Sequence, residues 1–280
     1  MSRFSHISFA VCSETGMVRG NNEDAFLALP EDGVFAVADG MGGGSAGEVA
    51  SAMLCERLRQ VLSQSGEDSP GLRKYNAQQA IHAANQAVFA YAEEHHFVQM
   101  GTTLVLFLLD SWEPSRAFLC HVGDSRAYCL RKNALRQLTH DHNLLELLGG
   151  GNGFWGCRRG PVGGATGRLL TRSVGIGEVV VPEWQELEVL PQDRYLLCTD
   201  GVSTMLKDRE VQEVLRQATT PDEAVAAFRD RILVAGAQDN FTAACLQVGE
   251  MLPGSLAPDE AEAAESDYLL KIAEGRKDNA

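Results

Sequence analysis

Four aspartates stand beside short apolar runs, a position in which a β-sheet can hold a carboxylate in place. They are Asp39, Asp124, Asp200 and Asp239. Asp39 and Asp200 are each followed by glycine, which lets backbone carbonyl oxygens as well as the carboxylate approach a hard cation. Each aspartate alone could instead be a turn former or a helix cap. Four of them brought together would repel one another unless cations neutralised them, so the pattern predicts a divalent-metal site.

A guanidinium and two carboxylates lie close together near the N-terminus, as Arg19, Glu23 and Asp24. Arginine suits bidentate binding of a phosphate, and the acidic pair suits contacts to water around a metal ion. The alternative interpretation is a surface turn with a local ion pair, which normally contributes little to stability.

The elements that must position these residues are short strands and longer helices. Apolar runs punctuated by glycine and aspartate predict strands at 33–38, 102–109, 117–122, 195–198 and 241–248. Apolar residues that recur every three or four positions predict helices at about 45–64, 76–95, 209–217 and 221–235. The first two helices are consecutive, with strands before and after them, which disfavours a βαβ repeat. This order favours an α+β domain in which antiparallel sheets are covered by helix pairs.

Two segments differ in composition from the rest of the chain. Residues 149–167 are rich in glycine and include Arg158 and Arg159, which predicts a mobile surface loop that could meet acidic or phosphorylated partners. Residues 251–280 are rich in Ala, Glu and Asp, and they predict an acidic tail that is either disordered or contains a short helix at 258–274. Residues 1–250 would form the main domain.

Composition narrows the classes of function. The 280 residues carry a formal net charge of −14 without a basic run, so the chain would repel nucleic acids and anionic lipids. The sequence has neither an apolar run long enough to cross a bilayer nor a recognisable secretory signal, which predicts no membrane insertion. Seven dispersed cysteines without CxxC pairs predict buried thiols in a reduced, cytoplasmic protein. We also expect a monomer.

Eight short motifs occur in a specific order between residues 5 and 248. They are the segments 19–25, 39–43, 101–103, 123–128, 138–142, 170–175, 199–201 and 239–240. Each motif is weakly specific, but their joint order and spacing resemble the bacterial type 2C (PPM family) metal-dependent serine/threonine protein phosphatases. The resemblance implies a four-layer αββα fold, in which two antiparallel β-sheets form a sandwich flanked by antiparallel helix pairs.

The resemblance also implies a catalytic domain at 1–250 that holds two Mn²⁺ or Mg²⁺ ions and uses them to activate a water for attack on phosphorus. By similarity, Asp39 would bridge the two ions, and Asp200 and Asp239 would bind one of them. The carbonyl of Gly40 and, through a water, Glu23 would serve the other ion.

Three further roles follow from the same resemblance. Arg19 would clamp the substrate phosphate, and Asp24 would orient metal-bound water. Asp124 would help to hold a third, more weakly bound metal. The substrates would be phosphorylated proteins, and the enzyme would oppose a bacterial serine/threonine kinase.

Met41 and the stretch 149–167 depart from the family pattern. Met41 stands where many eukaryotic members carry a histidine proposed to protonate the leaving alkoxide, so no general acid is assigned. His121, His140 and His142 lie near motif residues and are interpreted as structural. The glycine-rich stretch 149–167 takes the place of a flap that is usually helical and charged.

A second interpretation is a catalytically weak or regulatory binding module on the same fold. That class predicts loss of the metal carboxylates, whereas Asp39, Asp200 and Asp239 are all present.

Overall fold

A computed structural model describes residues 4–43, 45–63, 71–149 and 169–250. The strands within these ranges are β1 (Ile7–Glu14), β2 (Asp24–Leu29), β3 (Val34–Met41), β4 (Gly101–Thr102), β5 (Leu104–Leu109), β6 (Arg116–Val122), β7 (Arg126–Arg131), β8 (Ala134–Gln137), β9 (Glu183–Glu188), β10 (Arg194–Cys198) and β11 (Phe241–Val248). The helices are α1 (Ala46–Leu62), α2 (Leu72–Glu94), α3 (Leu144–Gly149), α4 (Asp200–Ser203), α5 (Asp208–Gln217) and α6 (Pro221–Val234).

The strands form two sheets in which every pairing is antiparallel. One sheet has the order β1-β11-β10-β7-β8. The other has the order β2-β3-β5-β6-β9, with the short β4 paired to β3. The register of β2 against β3 places Asp24 directly opposite Asp39. Sheet pairing therefore brings together two carboxylates that are fifteen positions apart in the sequence.

Four layers result from how the apolar faces of these elements are buried. Inward-facing side chains of both sheets, including Phe35, Phe107 and Tyr195 at 1% exposure each, form a core between the sheets. A second core lies between α1, α2 and the sheet that contains β3. A third lies between α5, α6 and the sheet that contains β11. Each fully buried large apolar side chain contributes about 1.5–3 kcal/mol to stability. The predicted αββα sandwich is confirmed.

The predicted elements match the structure where the sequence is strongly periodic. The helices at 209–217 and 221–235 agree within one residue, whereas α2 begins at Leu72, four residues before its predicted start. The predicted strand 102–109 is interrupted at Thr103, and β3 continues through Asp39 to Met41 instead of ending before the carboxylate. Asp39 is therefore held by strand pairing and not by a turn.

Five strands were not predicted, namely β1, β2, β7, β8 and β9. β9 shows the reason, since its sequence EWQELE has no apolar run and its residues are exposed or half-buried. Such a strand is stabilised by its pairing with β6, which the local sequence does not reveal.

The predicted glycine-rich loop at 149–167 and the predicted tail at 251–280 lie outside the described residues, apart from Gly149 at the end of α3. Within the described part of the chain, every helix is too short or too polar to span a lipid bilayer.

Candidate metal centre

An open cleft of about 500 Å³ gathers most of the residues that the sequence singled out. Its walls come from the loop before β2, the end of β3, the turn between β6 and β7, the first turn of α4 and the residues just before β11. The predicted site residues that line it are Arg19, Glu23, Asp39, Gly40, Asp124, Asp200 and Asp239. Five carboxylates thus share the cleft with Arg19, which is the single basic residue among its described lining residues.

Asp39 lies on β3, and its backbone is fixed by Thr102, the last residue of β4, and by Thr103, which follows it. The Asp39 amide donates to Thr103 Oγ1 at 2.9 Å, and the Thr103 amide donates to the Asp39 carbonyl at 2.9 Å. Thr102 Oγ1 also donates to that carbonyl, at 3.0 Å. These bonds satisfy the backbone N–H and C=O groups of Asp39 and fix its position on β3. Its side chain lines the cleft.

Gly40 allows helix α1 to approach β3 closely. A Cβ on Gly40 would lie 2.0 Å from the carbonyl oxygen of Gly47, in the first turn of α1. The Gly40 amide donates to the Glu23 carbonyl at 3.1 Å, and Ser51 Oγ donates to the same carbonyl at 2.7 Å. The strand, the helix and Glu23 are therefore packed so tightly at this point that no larger residue fits at position 40.

Asp200 and Asp239 lie beside β10 and β11, two neighbouring strands of the sheet that also contains β1. Asp200 opens α4, two residues after β10, and Asp239 lies two residues before β11. Asp239 Oδ1 accepts from the Asn240 amide at 2.8 Å, while Oδ2 accepts from Arg19 Nη2 at 2.8 Å. Because β10 and β11 are antiparallel neighbours, the end of one strand and the start of the other meet beside the cleft. The two carboxylates reach the same cleft as Asp39 for this reason.

Asn240 is the residue whose importance the sequence did not reveal. It is buried, with 7% exposure, and its Nδ2 donates to the carbonyls of Thr15 and Asn21 at 2.8 Å each. Its Oδ1 accepts from the Glu23 amide at 2.9 Å. One amide side chain thus fixes the loop that carries Arg19. The motif 239–240 was visible in the sequence, but its contacts are made more than 200 positions away.

Asp24 lies beneath the cleft and does not line it. Its Oδ2 accepts from Thr199 Oγ1 at 2.8 Å and from Thr242 Oγ1 at 2.7 Å. Its Oδ1 is buried and has no hydrogen-bond partner among the described residues. Burial, as the largest cause, raises the pKa of Asp24 to about 7, and the nearby carboxylates of Asp200 and Asp239 add to the increase. This carboxyl would hold a proton near neutral pH unless positive charge were placed beside it.

Asp39 and Asp124, which line the cleft, show the same electrostatic stress. Burial raises the pKa of Asp39 well above its usual value, and the surrounding carboxylates reinforce the effect. Burial likewise raises the pKa of Asp124 to about 7, with Asp200 and Asp141 contributing. Carboxylate and carbonyl oxygens are the ligands that Mn²⁺ and Mg²⁺ prefer. The donor set, the mutual repulsion and the buried oxygen of Asp24 therefore fit a site for divalent cations.

The histidines near the motifs lie together outside the cleft. His121 and His142 stack with their ring centroids 4.6 Å apart, and His140 and His142 both contact Glu183. None of the described residues that line the cleft is a histidine, and Met41 occupies the wall beside Gly40. The interpretation of these histidines as structural agrees with this placement.

The described cysteines behave as packing residues. Five of them are buried and Cys12 is half-buried, and all six are free thiols. Burial raises the pKa of Cys12 and of Cys129 to about 11, so these thiols stay protonated at neutral pH. Cys157 lies outside the described residues.

Comparison with known proteins extends these observations. The family model described as Protein phosphatase 2C matches residues 18–233. The serine/threonine protein phosphatase PstP of Mycobacterium tuberculosis is 35% identical over 269 residues, which cover 93% of this chain but 49% of PstP, so the chain spans about half of that relative's length. The serine/threonine phosphatase stp of Listeria innocua is 31% identical over 252 residues, which cover 86% of this chain and 96% of the relative.

A solved structure shows the same similarity in three dimensions. The catalytic domain of PstP in complex with 2 manganese ions aligns with a TM-score of 0.73 and 33% identity, covering 87% of this chain and 99% of that domain. The match of the family model to most of the chain, together with the four-layer fold, supports one conclusion. The chain belongs to the protein phosphatase 2C family.

Proposed function

We propose that this chain is a metal-dependent protein phosphatase that hydrolyses phosphoserine and phosphothreonine. The observation that carries the proposal is the single cleft in which five carboxylates and Arg19 converge, in a chain of the protein phosphatase 2C family. The relatives with matching sequences are serine/threonine phosphatases, and one of them binds two manganese ions.

The cofactor of this site would be two Mn²⁺ or Mg²⁺ ions. Asp39 would bridge them, since its carboxylate is flanked by those of Asp200 and Asp239. Asp200 and Asp239 would bind one ion, and the Gly40 carbonyl with Glu23, through a water, would serve the other.

Asp124 would contribute to a third, weaker site. Its carboxyl lines the same cleft, and Asp200 contributes to the upward shift of its pKa.

Bound cations would supply electrophilic activation of a water and neutralise charge on the phosphoryl oxygens. The chain's own residues bind and orient the reactants. Arg19 would donate to phosphate oxygens, and its pairing with Asp239 holds the guanidinium at the rim of the cleft. Asp24 would help to orient metal-bound water from beneath the cleft through Oδ1, because its other oxygen is already held by Thr199 and Thr242.

The substrates would be phosphorylated proteins made by a bacterial serine/threonine kinase, and the enzyme would work as a cytoplasmic monomer. The acidic surface implied by a net charge of −14 would favour substrates whose phosphorylated residue lies among basic residues. The proton for the leaving alkoxide would come from a group other than His121, His140 and His142, because no described histidine lines the cleft.

Hydrolysis of a phosphothreonine peptide by the purified protein tests the proposal, with Mn²⁺ or with a chelator, and with Asp39→Asn beside the wild type. A divalent cation contributes several kcal/mol to such a transition state, so the substitution should lower turnover at least about 10³-fold. Asp222→Asn, on the exposed start of α6, provides the control and should retain activity. Turnover in the chelator, or undiminished turnover by Asp39→Asn, would contradict the two-cation mechanism. Peptide binding without any turnover would favour the binding-module alternative.

A further inference from the structure

A second cluster of titratable side chains lies outside the aspartate cleft. It consists of His121, His142 and Glu183, whose possible ligand atoms all lie within 4.8 Å of one another, with His140 at its edge. His121 and His142 are buried, with 3% and 7% exposure, while Glu183 is partly exposed. Proximity alone would allow a metal ion or a hydrogen-bond network, and the positions of the hydrogens decide between them.

The hydrogen bonds of His142 specify its tautomer. The Gly123 amide donates to His142 Nδ1 at 3.2 Å, so Nδ1 must carry the lone pair and the neutral ring carries its hydrogen on Nε2. Nε2 lies 3.3 Å from Glu183 Oε2 and donates to it. Burial lowers the pKa of His142, and the nearby guanidinium of Arg172 acts in the same direction, so the ring stays neutral.

This tautomer disfavours a metal ion at the cluster. A cation bound at Nε2 would have to displace the Nε2 hydrogen while Nδ1 is still engaged by the Gly123 amide. The Arg172 Nη1 atom, 3.3 Å from Nε2, would also place positive charge against the ion. The cluster is therefore a hydrogen-bond network centred on His142.

His142 contacts Gly123 through two hydrogen bonds. Besides accepting from the Gly123 amide, it donates its own backbone amide to the Gly123 carbonyl at 2.9 Å. Gly123 has φ +100°, and a Cβ there would lie 2.6 Å from Thr103 Cγ2. Thr103 in turn contacts Ser125, with the two hydroxyl oxygens 2.7 Å apart. The turn that carries Asp124 into the cleft is thus held on one side by His142 and on the other by Thr103.

The backbone at His142 and Asn143 also bonds to a second segment of the cleft lining, at Leu170 and Thr171. Its carbonyl accepts from the Thr171 amide at 2.8 Å, and the next residue, Asn143, pairs with Leu170. Leu170 and Asp124 both line the cleft. His142 is therefore bonded both to the Asp124 turn and, through its backbone, to the segment at Leu170 and Thr171.

We propose that His142 is a positioning residue, which fixes the Asp124 turn relative to the cleft wall at Leu170 through the hydrogen bond that its Nδ1 accepts from Gly123. The effect on catalysis rests on the proposed phosphatase function, but the effect on the turn does not. If Asp124 contributes to metal binding, loosening the turn should raise the Mn²⁺ concentration needed for turnover.

Two substitutions of His142 separate the hydrogen bond from the loss of the ring. In His142→Asn the side-chain oxygen can replace Nδ1 as the acceptor for the Gly123 amide, whereas the longer side chain in His142→Gln places its amide near the position of Nε2. His140→Asn is the matched control, since His140 is 74% exposed and its side chain contacts Glu183 but not Gly123.

The measurements are hydrogen exchange at the Gly123 amide and the Mn²⁺ concentration that gives half-maximal hydrolysis of a phosphothreonine peptide. His142→Gln should speed exchange at Gly123 and raise the required Mn²⁺ concentration about 10- to 100-fold, as outer-layer partners of metal ligands generally do. His142→Asn should recover most of both properties, and His140→Asn should match the wild type. A purely structural role would lower the melting temperature of both His142 variants without this difference between them.

Equal Gly123 exchange and equal Mn²⁺ dependence in folded His142→Gln and His142→Asn would overturn the proposal. If His142→Gln does not fold, Glu183→Ala serves instead, because it removes the acceptor of Nε2–H from a partly exposed strand. It should change both measurements in the same direction by a smaller factor, and no change would overturn the proposal as well. Absence of Mn²⁺-dependent turnover in the wild type would refute the phosphatase function, and the Gly123 exchange rates would still decide the role of His142.

Discussion

Asp193 and Asp24 each hold carboxyl oxygens out of contact with water, but the two side chains have opposite surroundings. Asp193 is 1% exposed, and it accepts from Arg131 at 2.8 and 2.6 Å, from the Tyr195 hydroxyl at 3.0 Å and from the Leu190 amide at 2.9 Å. Asp24, by contrast, has a buried oxygen without a hydrogen-bond partner, and its neighbours are other carboxylates.

The difference shows which carboxyls serve folding and which serve a ligand. A buried charge that is paired and fully hydrogen-bonded is part of the folded framework. Half-buried carboxylates that lie close together repel one another and raise the free energy of the folded chain unless a cation binds between them. The contrast between these two regions, more than any single aspartate, identifies the cleft as a cation site.

The largest effect on stability is expected at Asp193. Asp193→Asn removes the buried carboxylate that accepts from the partly exposed guanidinium of Arg131, so the free energy of unfolding should fall by about 2 kcal/mol. Chemical denaturation measures the loss. The Mn²⁺ dependence of peptide hydrolysis should stay unchanged, because Asp193 does not line the cleft. A change in Mn²⁺ dependence without loss of stability would remove the distinction between the two regions.

In the absence of divalent cations, Asp24→Asn should raise the free energy of unfolding, whereas Asp193→Asn lowers it. The pKa of Asp24 is raised to about 7 in the folded chain, so the folded state binds more protons than the unfolded state between about pH 4 and pH 7. Stability must therefore fall as the pH rises through this window. Asp24→Asn keeps an oxygen for Thr199 and Thr242 but cannot ionise, so it should lose less stability over this range.

Thermal unfolding in a chelator at several pH values checks this prediction. At pH 8 the Asp24→Asn variant should melt at least about 2 °C higher than the wild type, since roughly 1 kcal/mol corresponds to 2–4 °C at this chain length. At pH 4 the two melting temperatures should converge. A variant that is less stable than the wild type at pH 8 would mean that Asp24 is satisfied in a way that resembles Asp193.

The smallest effect on stability is expected at the exposed pair between Arg19 and Asp239. The two side chains are 54% and 38% exposed, so Arg19→Gln should change the free energy of unfolding by less than about 1 kcal/mol. The KM for a phosphothreonine peptide should nevertheless rise about tenfold or more, because a charge-assisted hydrogen bond to phosphate is lost.

Arg229→Gln is the matched control for that substitution. Arg229 pairs with Glu14 at 2.6 Å, with side-chain exposures of 48% and 38%, and neither residue lines the cleft. The two variants should have the same melting temperature, but only Arg19→Gln should have a raised KM in steady-state kinetics. Equal KM values would show that Arg19 and Asp239 form only an ordinary surface ion pair, which is the alternative that the sequence around Arg19 left open.

Local sequence was sufficient for the elements with strong periodicity and for the type of site. The helices α5 and α6 and the strand β11 follow from apolar spacing that depends on no distant contact. The strand β9 could not be predicted in this way, because its polar and half-exposed residues are stabilised by pairing with β6. The extension of β3 through Asp39 depends on the same kind of pairing.

The sequence by itself determined the chemistry that this protein can perform, since it specifies several carboxylates, one arginine and permissive glycines in an order typical of one family. Only the tertiary structure decided how the carboxyls differ. Asp24 lies beneath the cleft with one oxygen unpartnered, Asn240 fixes the arginine loop from another strand, and His142 contacts the turn before Asp124. The physical reason is that burial and hydrogen-bond satisfaction are properties of residues distant in the chain, and a linear motif contains neither.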